Sequence, residues 1–254
     1  MSMSYRNNSQ RAKVQSRKIY ASGAFKNVYK GVYTKGQRIG QACVTKEFKS
    51  GSVHERHYFK EEMNIISLAQ KILDDWAATK SINSKIVLST PEIWAYEDSR
   101  TLCLVEPFIE NYEHFNSNTG WAPVSGNTWT DAMQALSHFS YHNSVGQYLL
   151  CDLQGGAYQD GYILSDPVIM SQDQSCGPAD LGTDGINAFF HRHTCTLFCK
   201  PHWMRPVISG RPKTVMSKGT TMVAGRPSPG RSTLSGMQRL FRLGSEQGSR
   251  AELE

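Results

Sequence analysis

Apolar and polar positions change period along the chain, and the changes mark its elements. Through residues 18–48 they alternate in KIYASGAFKNVYKGVYT and RIGQACVTKEF, which predicts strands joined by a turn at Lys35-Gly36. Tyr58, Met63, Ile66, Ala69, Leu73 and Trp76 then keep to one stripe of a long helix. EIWAYED and TLCLVEPFI read as strands flanking a turn at 97–100, and NYEHFNSNTGW as a turn-rich loop. Met133, Leu136 and Phe139 give residues 130–141 helical spacing, and YLLCDLQG reads as a short strand running into a Gly-Gly turn. DGINAFFHRH predicts a further helix, with Asp184 near its start where a negative charge suits the helix dipole. Beyond Pro206 the residues turn to Arg, Ser, Gly, Pro and Thr, and no periodic stretch is longer than MQRLFRL. The fold class is α+β, strand-rich early and mixed later, a layout that suits a ligand cleft between two lobes.

Composition bounds this picture. The chain has 254 residues, 39% apolar and 20% charged, enough for a sizeable core. No stretch reaches the roughly 18 uninterrupted apolar residues of a membrane span. The basic start lacks the apolar region of a secretory signal, so a cytoplasmic location is expected. Residues 1–18 and 211–254 each carry a net +5, which leaves the middle at −4 of the chain's +6. Positive charge held outside the domain argues against a nucleic-acid-binding module, and none is expected as a partner. The division is a flexible basic N-terminus over 1–18, a domain over 19–209, and a disordered basic tail over 210–254.

The densest candidate chemistry is HRHTCTLFC, where His193, Cys195 and Cys199 follow the spacing H-x-C-x3-C. Zinc takes about four N or S ligands in a tetrahedron, so three local donors need a fourth. His191, His202, His138 and His142 are the candidates. Asp152 and Gln154 in CDLQGG, with Asp166 in LSDP, place carboxylates at strand ends where Mg²⁺ is held beside a phosphate. Asp before Pro or Gly is also an ordinary turn residue. Lys46 shares a strand face with Val44 and Phe48, the place for a phosphate-binding point charge or for an edge lysine in solvent. Gly23 and Ala24 are small enough to let a phosphate reach backbone N–H groups. GPADLG is a near-match to a dinucleotide fingerprint but follows no clear strand within a βαβ unit, which makes the Rossmann reading poor.

Taken in order, SGAFKNVYKG, TKEF, LVEPFI, FNSNTGW, ALSHFSY, DLQG, SDP, GPADLG and H-x-C-x3-C resemble the alpha-kinase family of atypical protein kinases. The likeness runs from about Tyr20 to Cys199. It implies a two-lobed, protein-kinase-like fold with a strand-rich N-terminal lobe and a zinc-stabilised mixed C-terminal lobe. It also implies ATP, Mg²⁺ and a structural Zn²⁺ as cofactors. The fourth zinc ligand becomes His138, beside His193, Cys195 and Cys199. Asp152 matches the acid that acts on the substrate hydroxyl, and Gln154 and Asp166 match the residues that hold the Mg²⁺–nucleotide. Lys46 matches the lysine on the phosphates, and Gly23 with Ala24 the phosphate loop. Glu106 and Phe108 fall on the inter-lobe segment that bonds the adenine, and Asn116 and Asn118 in the loop below it. Gly177 and Gly182 belong to the glycine-rich loop that presents a peptide.

The implied activity is transfer of the ATP γ-phosphoryl group to Ser or Thr of a protein substrate, with a helical acceptor segment as the family's hint. Ser228, Ser232, Thr233, Ser235, Ser245 and Ser249 make the tail a candidate for autophosphorylation. The chain departs from the family at Lys26, where Arg is usual, and at His114, where relatives carry Lys. GAYQDGYI also makes the DLQG–SDP interval longer, so that it either displaces Asp166 or bulges into solvent. The alternatives are an inactive zinc-stabilised nucleotide-binding module and an unrelated zinc hydrolase on His191, His193 and Cys195.

Overall fold

The structure is a computed structural model and describes residues 4–49, 56–123, 128–158, 161–208, 223–224 and 237–243. Its elements are β1 (Ser4–Arg6), β2 (Ser9–Ser22), β3 (Lys26–Gly36), β4 (Ala42–Phe48), α1 (Arg56–Ala78), β5 (Lys85–Thr90), β6 (Glu92–Tyr96) and β7 (Leu102–Pro107). They continue with β8 (Glu113–His114), α2 (Thr128–Asn143), β9 (Tyr148–Cys151), β10 (Gln154–Tyr158), β11 (Gly161–Ser165), β12 (Val168–Ser171), α3 (Gly182–Arg192), β13 (Val223–Ala224) and β14 (Met237–Arg242). The content is α+β and strand-rich.

β2 pairs with β3 along one edge and with β14 along the other. β14 pairs with β6, β6 with β7, β7 with β4 and β4 with β3, all antiparallel. The ladders close into a ring of six strands, with β13 added on β2. Alternation along each strand sends Ala12, Val14, Tyr33, Cys43, Trp94, Tyr96, Cys103, Val105 and Leu240 into the interior. Closure matters because a ring leaves no unpaired strand edge.

Both ends of the chain depart from expectation. Residues 1–18 are not a flexible arm over the described part: β1 and most of β2 lie within them, with Ala12 and Val14 buried. The basic residues occupy the outward positions of β2, so a charge count reads as a tail what a period of two makes a strand. The expected tail likewise contains β14, a stave of the ring whose Leu240 is fully buried. One inward apolar residue in a six-residue strand is too weak a signal to see before its partners are known. The rest of 210–254, apart from β13 and residue 243, lies outside the described residues.

The second half is built on the sheet β1-β5-β11-β10-β8, in which β5 runs parallel to both β1 and β11. The hairpin-like pair β9–β12 lies beside it. α1 packs on β5, α2 on β9 and α3 on β12. The stripe of α1 meets the sheet as predicted, with Ile66, Ala69, Leu73 and Trp76 in a core shared with Leu88, Leu136 and Leu164. α2 covers the predicted 130–141, and of those residues only Asp131 is not buried. β5, β11 and β12 escaped the periodicity because they are buried on both faces and show no alternation. No helix among the described residues is long and apolar enough to cross a membrane.

Candidate active site

The chain passes twice from one strand ladder to another at the same level. Cys151 pairs with Val168 in the β9–β12 ladder, and Gln154 pairs with Ser165 in the β10–β11 ladder. Residues 152–153 and 166–167 are the crossings between them. Each opens on an aspartate in the left-handed region, Asp152 at φ 55° and Asp166 at φ 50°. Non-glycine residues held there are strained, and such strain gathers at functional sites. The expected Gly-Gly turn is instead the middle of β10. A Cβ on Gly155 would meet the Ile163 carbonyl oxygen at 1.8 Å, and one on Gly156 the Glu110 oxygen at 2.3 Å. The glycines permit close backbone approach. Over its described residues the long interval to Asp166 is β10 and β11, its residues 159–160 lying outside them, and Asp166 stays beside Lys46.

Lys46 reaches from β4 and pairs with both Glu106 and Asp166, and it donates to Ser165 Oγ at 3.1 Å. Lys26 pairs with Asp166 at 3.2 Å and with Glu62 of α1 at 2.5 Å. Ser89 Oγ donates to Glu106 Oε2 at 2.8 Å. Burial works to raise the Asp166 carboxyl, but Lys46 and Lys26 outweigh it and hold it well below the usual carboxylate range. Burial likewise disfavours the Lys46 ammonium, yet Asp166 and Glu106 hold it above the ordinary lysine value. Gln154 donates Nε2 to Asp152 Oδ2 at 3.1 Å, while its own Oε1 is buried without a hydrogen-bond partner. Asn118 Oδ1 is orphaned in the same way.

Above this network opens a cavity of about 300 Å³, lined by Tyr20, Ala21, Val28, Val44, Lys46, Glu106, Phe108, Ile109, His114 and Asp166 among others. Glu106 lines it but spends its carboxylate on Lys46, and the Phe108 N–H donates to the Ala42 carbonyl. Burial lowers the His114 imidazole from its usual value. Gly23 closes the β2–β3 connection through its N–H to the Lys26 carbonyl at 2.9 Å, with Ala24 exposed beside it.

Asn116 anchors the DLQG crossing. Its Nδ2 donates to Ser137 Oγ at 3.0 Å, and its Oδ1 accepts the Leu153 N–H at 2.9 Å. Asn118 reaches the Ala179 carbonyl in the glycine loop at 3.3 Å. Gly177 and Gly182 have φ of 83° and 64°, and the loop between them is gathered by Asp180. That carboxylate accepts from the N–H groups of Ser171, Cys176 and Gly182. Glu62, Ser89, Ser165 and Asp180 are site residues that the sequence pattern did not single out. Ser165 and Asp180 stand inside the quoted motifs; Glu62 is one acid among several on α1, and Ser89 lies on β5, which shows no alternation.

Between His138 inside α2 and the segment that leaves the end of α3 a second cluster forms. His138 Nδ1 lies 3.2 Å from His193 Nε2 and 3.7 Å from Cys195 Sγ, and Cys199 Sγ lies 3.7 Å from His193 Nε2. The four donor atoms are within 4.8 Å of one another, a set able to hold a metal ion. His138 Nε2 donates to the Met204 carbonyl at 3.1 Å, which leaves the Nδ1 lone pair directed at the cluster. Burial pushes His138 down to about 4 and His193 down to about 3, so both rings are neutral, as ligands must be. His191 and His202 stand outside this set.

The proteins this chain is similar to include alpha-protein kinases and TRP-type cation channels. It belongs to the alpha-kinase family, whose model matches residues 21–199. It is 28% identical over 190 residues to alpha-protein kinase vwkA of Dictyostelium discoideum, covering 71% of this chain and 29% of that protein. Over 208 residues it is 31% identical to alpha-protein kinase 1 of the same organism, covering 80% of this chain and 14% of the relative. The chain thus spans less than a third of either relative. Among solved structures it shares the fold of an alpha kinase from Entamoeba histolytica (TM-score 0.64, 20% identity, 81% of this chain and 82% of the other). It also shares the fold of the alpha-kinase domain of myosin heavy chain kinase A in complex with AMP (TM-score 0.60, 24% identity, 74% and 88%).

Proposed function

We propose that this chain transfers the γ-phosphoryl group of ATP to a Ser or Thr hydroxyl of a protein, with the cavity above Lys46 as the nucleotide site. The observation that carries this is the pairing of the Asp152 and Asp166 crossings beside a buried lysine, at the foot of an apolar cavity. Lys26 and Lys46 pair there with Glu62, Glu106 and Asp166. The orphaned Gln154 oxygen fits a hard divalent cation held by Gln154 and Asp166. Mg²⁺, when bound, supplies charge neutralisation on the phosphates. Lys46 adds a point charge to them, and Gly23 with Ala24 gives them small residues to approach. Asp152 orients the acceptor hydroxyl and takes its proton as the acceptor oxygen bonds to phosphorus and the bond to the β-phosphate bridge breaks. Gly177 and Gly182 frame the loop that faces the peptide.

In this reading the strand ring and the helical half are two lobes about the cavity, and His138, His193, Cys195 and Cys199 hold a structural zinc. Tetrahedral zinc with bonds of about 2.0–2.3 Å has donor–donor edges of roughly 3.3–3.8 Å, close to the spacings in the cluster. Four protein donors leave no place for a water, so the metal holds structure and the hydrolase alternative loses its open position. None of the six cysteines is in a disulfide, which suits a reducing cytoplasm. A helical acceptor segment and autophosphorylation of the tail serines belong to the same reading.

The test is phosphate transfer from labelled ATP with Mg²⁺ to the protein itself and to a basic acceptor, beside Asp152→Ala shown to be folded. Label should fall by about 10²–10⁴-fold in the variant. Equal label in both would remove Asp152 from the chemistry. No label in either, with nucleotide bound, would make the chain a nucleotide-binding module.

A further inference from the structure

Two walls of the nucleotide cavity are tied together by a residue that does not line it. Lys30 of β3 places its ammonium 4.0 Å from the ring centroid of Tyr20 and 4.1 Å from that of Phe108. Both rings line the cavity and meet edge-to-face, their centroids 5.9 Å apart. Tyr20 comes from β2, and Phe108 from the segment leaving β7. These strands are not neighbours in the ring, since β2 lies between β3 and β14 and β7 between β4 and β6. No ladder between them therefore fixes how the two rings meet.

The backbone places Lys30 for this task. Between the pairs Val14–Gly31 and Ile19–Tyr29, β2 uses four residues where β3 uses one, and that one is Lys30. Such irregularities bend a strand and re-aim its side chains, here just ahead of Tyr20. Lys30 forms no ion pair among the described residues. A cation over two ring faces is held by their quadrupoles. Ala21, Val28 and Val44 form one apolar cluster against which both Tyr20 and Phe108 pack. The result is an apolar floor with a touching aromatic pair at its side, a lining suited to an apolar heterocycle.

We infer that Lys30 is a positioning residue for the nucleotide base: its paired cation–π contacts hold Tyr20 and Phe108 as one edge-to-face unit at the cavity wall, against which a base over Ala21, Val28 and Val44 would pack. The inference rests on the ATP reading above and extends it to the determinant of base affinity. Lys30 stands behind the cavity lining, against Tyr20 and Phe108, so its loss should weaken nucleotide binding and leave the transfer step alone.

The experiment measures Kd for a fluorescent ATP analogue, with KM and kcat for ATP, in the wild type, Lys30→Met and Lys30→Arg. Lys30→Met keeps the stem and removes the charge. Its Kd and KM should rise by about five- to tenfold, with kcat at saturating ATP within about twofold. Lys30→Arg keeps a cation for the rings and should return both to near wild type. Unchanged Kd in Lys30→Met would overturn the inference, as would equal loss in Met and Arg variants, because a charge-specific contact would then be irrelevant. Phe108→Leu alone and combined with Lys30→Met closes a cycle: non-additive losses support the clasp, and additive losses overturn it. Should Lys30→Met fail to fold, Tyr20→Leu takes its place and must raise Kd with Lys30 intact. A wild type that binds no nucleotide overturns the ATP reading itself, an outcome separate from a wild type that binds and a Lys30→Met variant that binds equally well.

Discussion

The strand ring and the helical half are closed in different ways. The ring is closed by backbone: β14 hydrogen-bonds β2 on one side and β6 on the other, and its Leu240 joins the interior. α2 and the segment that leaves α3 are joined by side chains, four donors facing one another with no ladder between them. A ladder satisfies its own polar groups, whereas the imidazoles and thiols of this cluster, within 4.8 Å of one another, would be satisfied by the proposed cation. The network proposed for catalysis lies between the two and uses a third device, in which Lys26 and Lys46 balance carboxylates from α1, β7 and the second crossing.

The largest effect should come from removing the proposed zinc. Structural zinc contributes on the order of 10 kcal/mol of folding free energy in small zinc peptides. Chelation, or Cys199→Ala, should strip hydrogen-exchange protection from α2 and α3 before it reaches β2 and β14. Protection retained equally in both regions would erase the contrast. Lys46→Met comes next, at about 3–5 kcal/mol in urea unfolding, because it leaves Glu106 and Asp166 buried without their main partner. A cost below about 1 kcal/mol would show that water or Lys26 takes over. Leu240→Ala should cost about 2–5 kcal/mol if β14 is a true stave. An unaltered melting temperature would mean that the ring holds without it.

The smallest effect should be the acid dependence. Asp166 is held below the usual carboxylate range, so its contribution is full above the unfolded value and is lost as pH falls toward the folded one. Lys46 is held above its ordinary value, so its contribution persists through neutral pH and is lost only in strong alkali. Stability should therefore fall below about pH 4, and the acid limb should flatten in Lys46→Met. An identical acid limb in both proteins would remove this pair from the balance.

Much of the site is legible in the sequence, and for a local reason. DLQG, SDP and H-x-C-x3-C are short, and each carries its chemistry within a few residues. The helical stripe of α1 and the strands around residues 97–100 are equally plain, because one face of each element meets the core. β5, β11 and β12 are not, since strands buried on both sides lose the alternation that announces them. Ser89 is hidden along with β5, and Glu62 looks like any helix surface acid until Lys26 meets it.

The sequence by itself determined the family, the fold class, the candidate acids and lysine of the site, and the candidate metal donors once His138 was matched by resemblance. Each of these is written in residues that are close together or in motifs that keep their order. Only the tertiary structure decided that both ends of the chain are staves of one ring and that Lys46 shares Asp166 with Lys26. It also decided that Lys30 stands between two rings from non-adjacent strands. Those facts depend on pairing between residues at opposite ends of the chain, as in Arg11 with Phe241 and Ala12 with Leu240. Periodicity reports which face of a strand is buried, and it carries no record of which strand lies alongside.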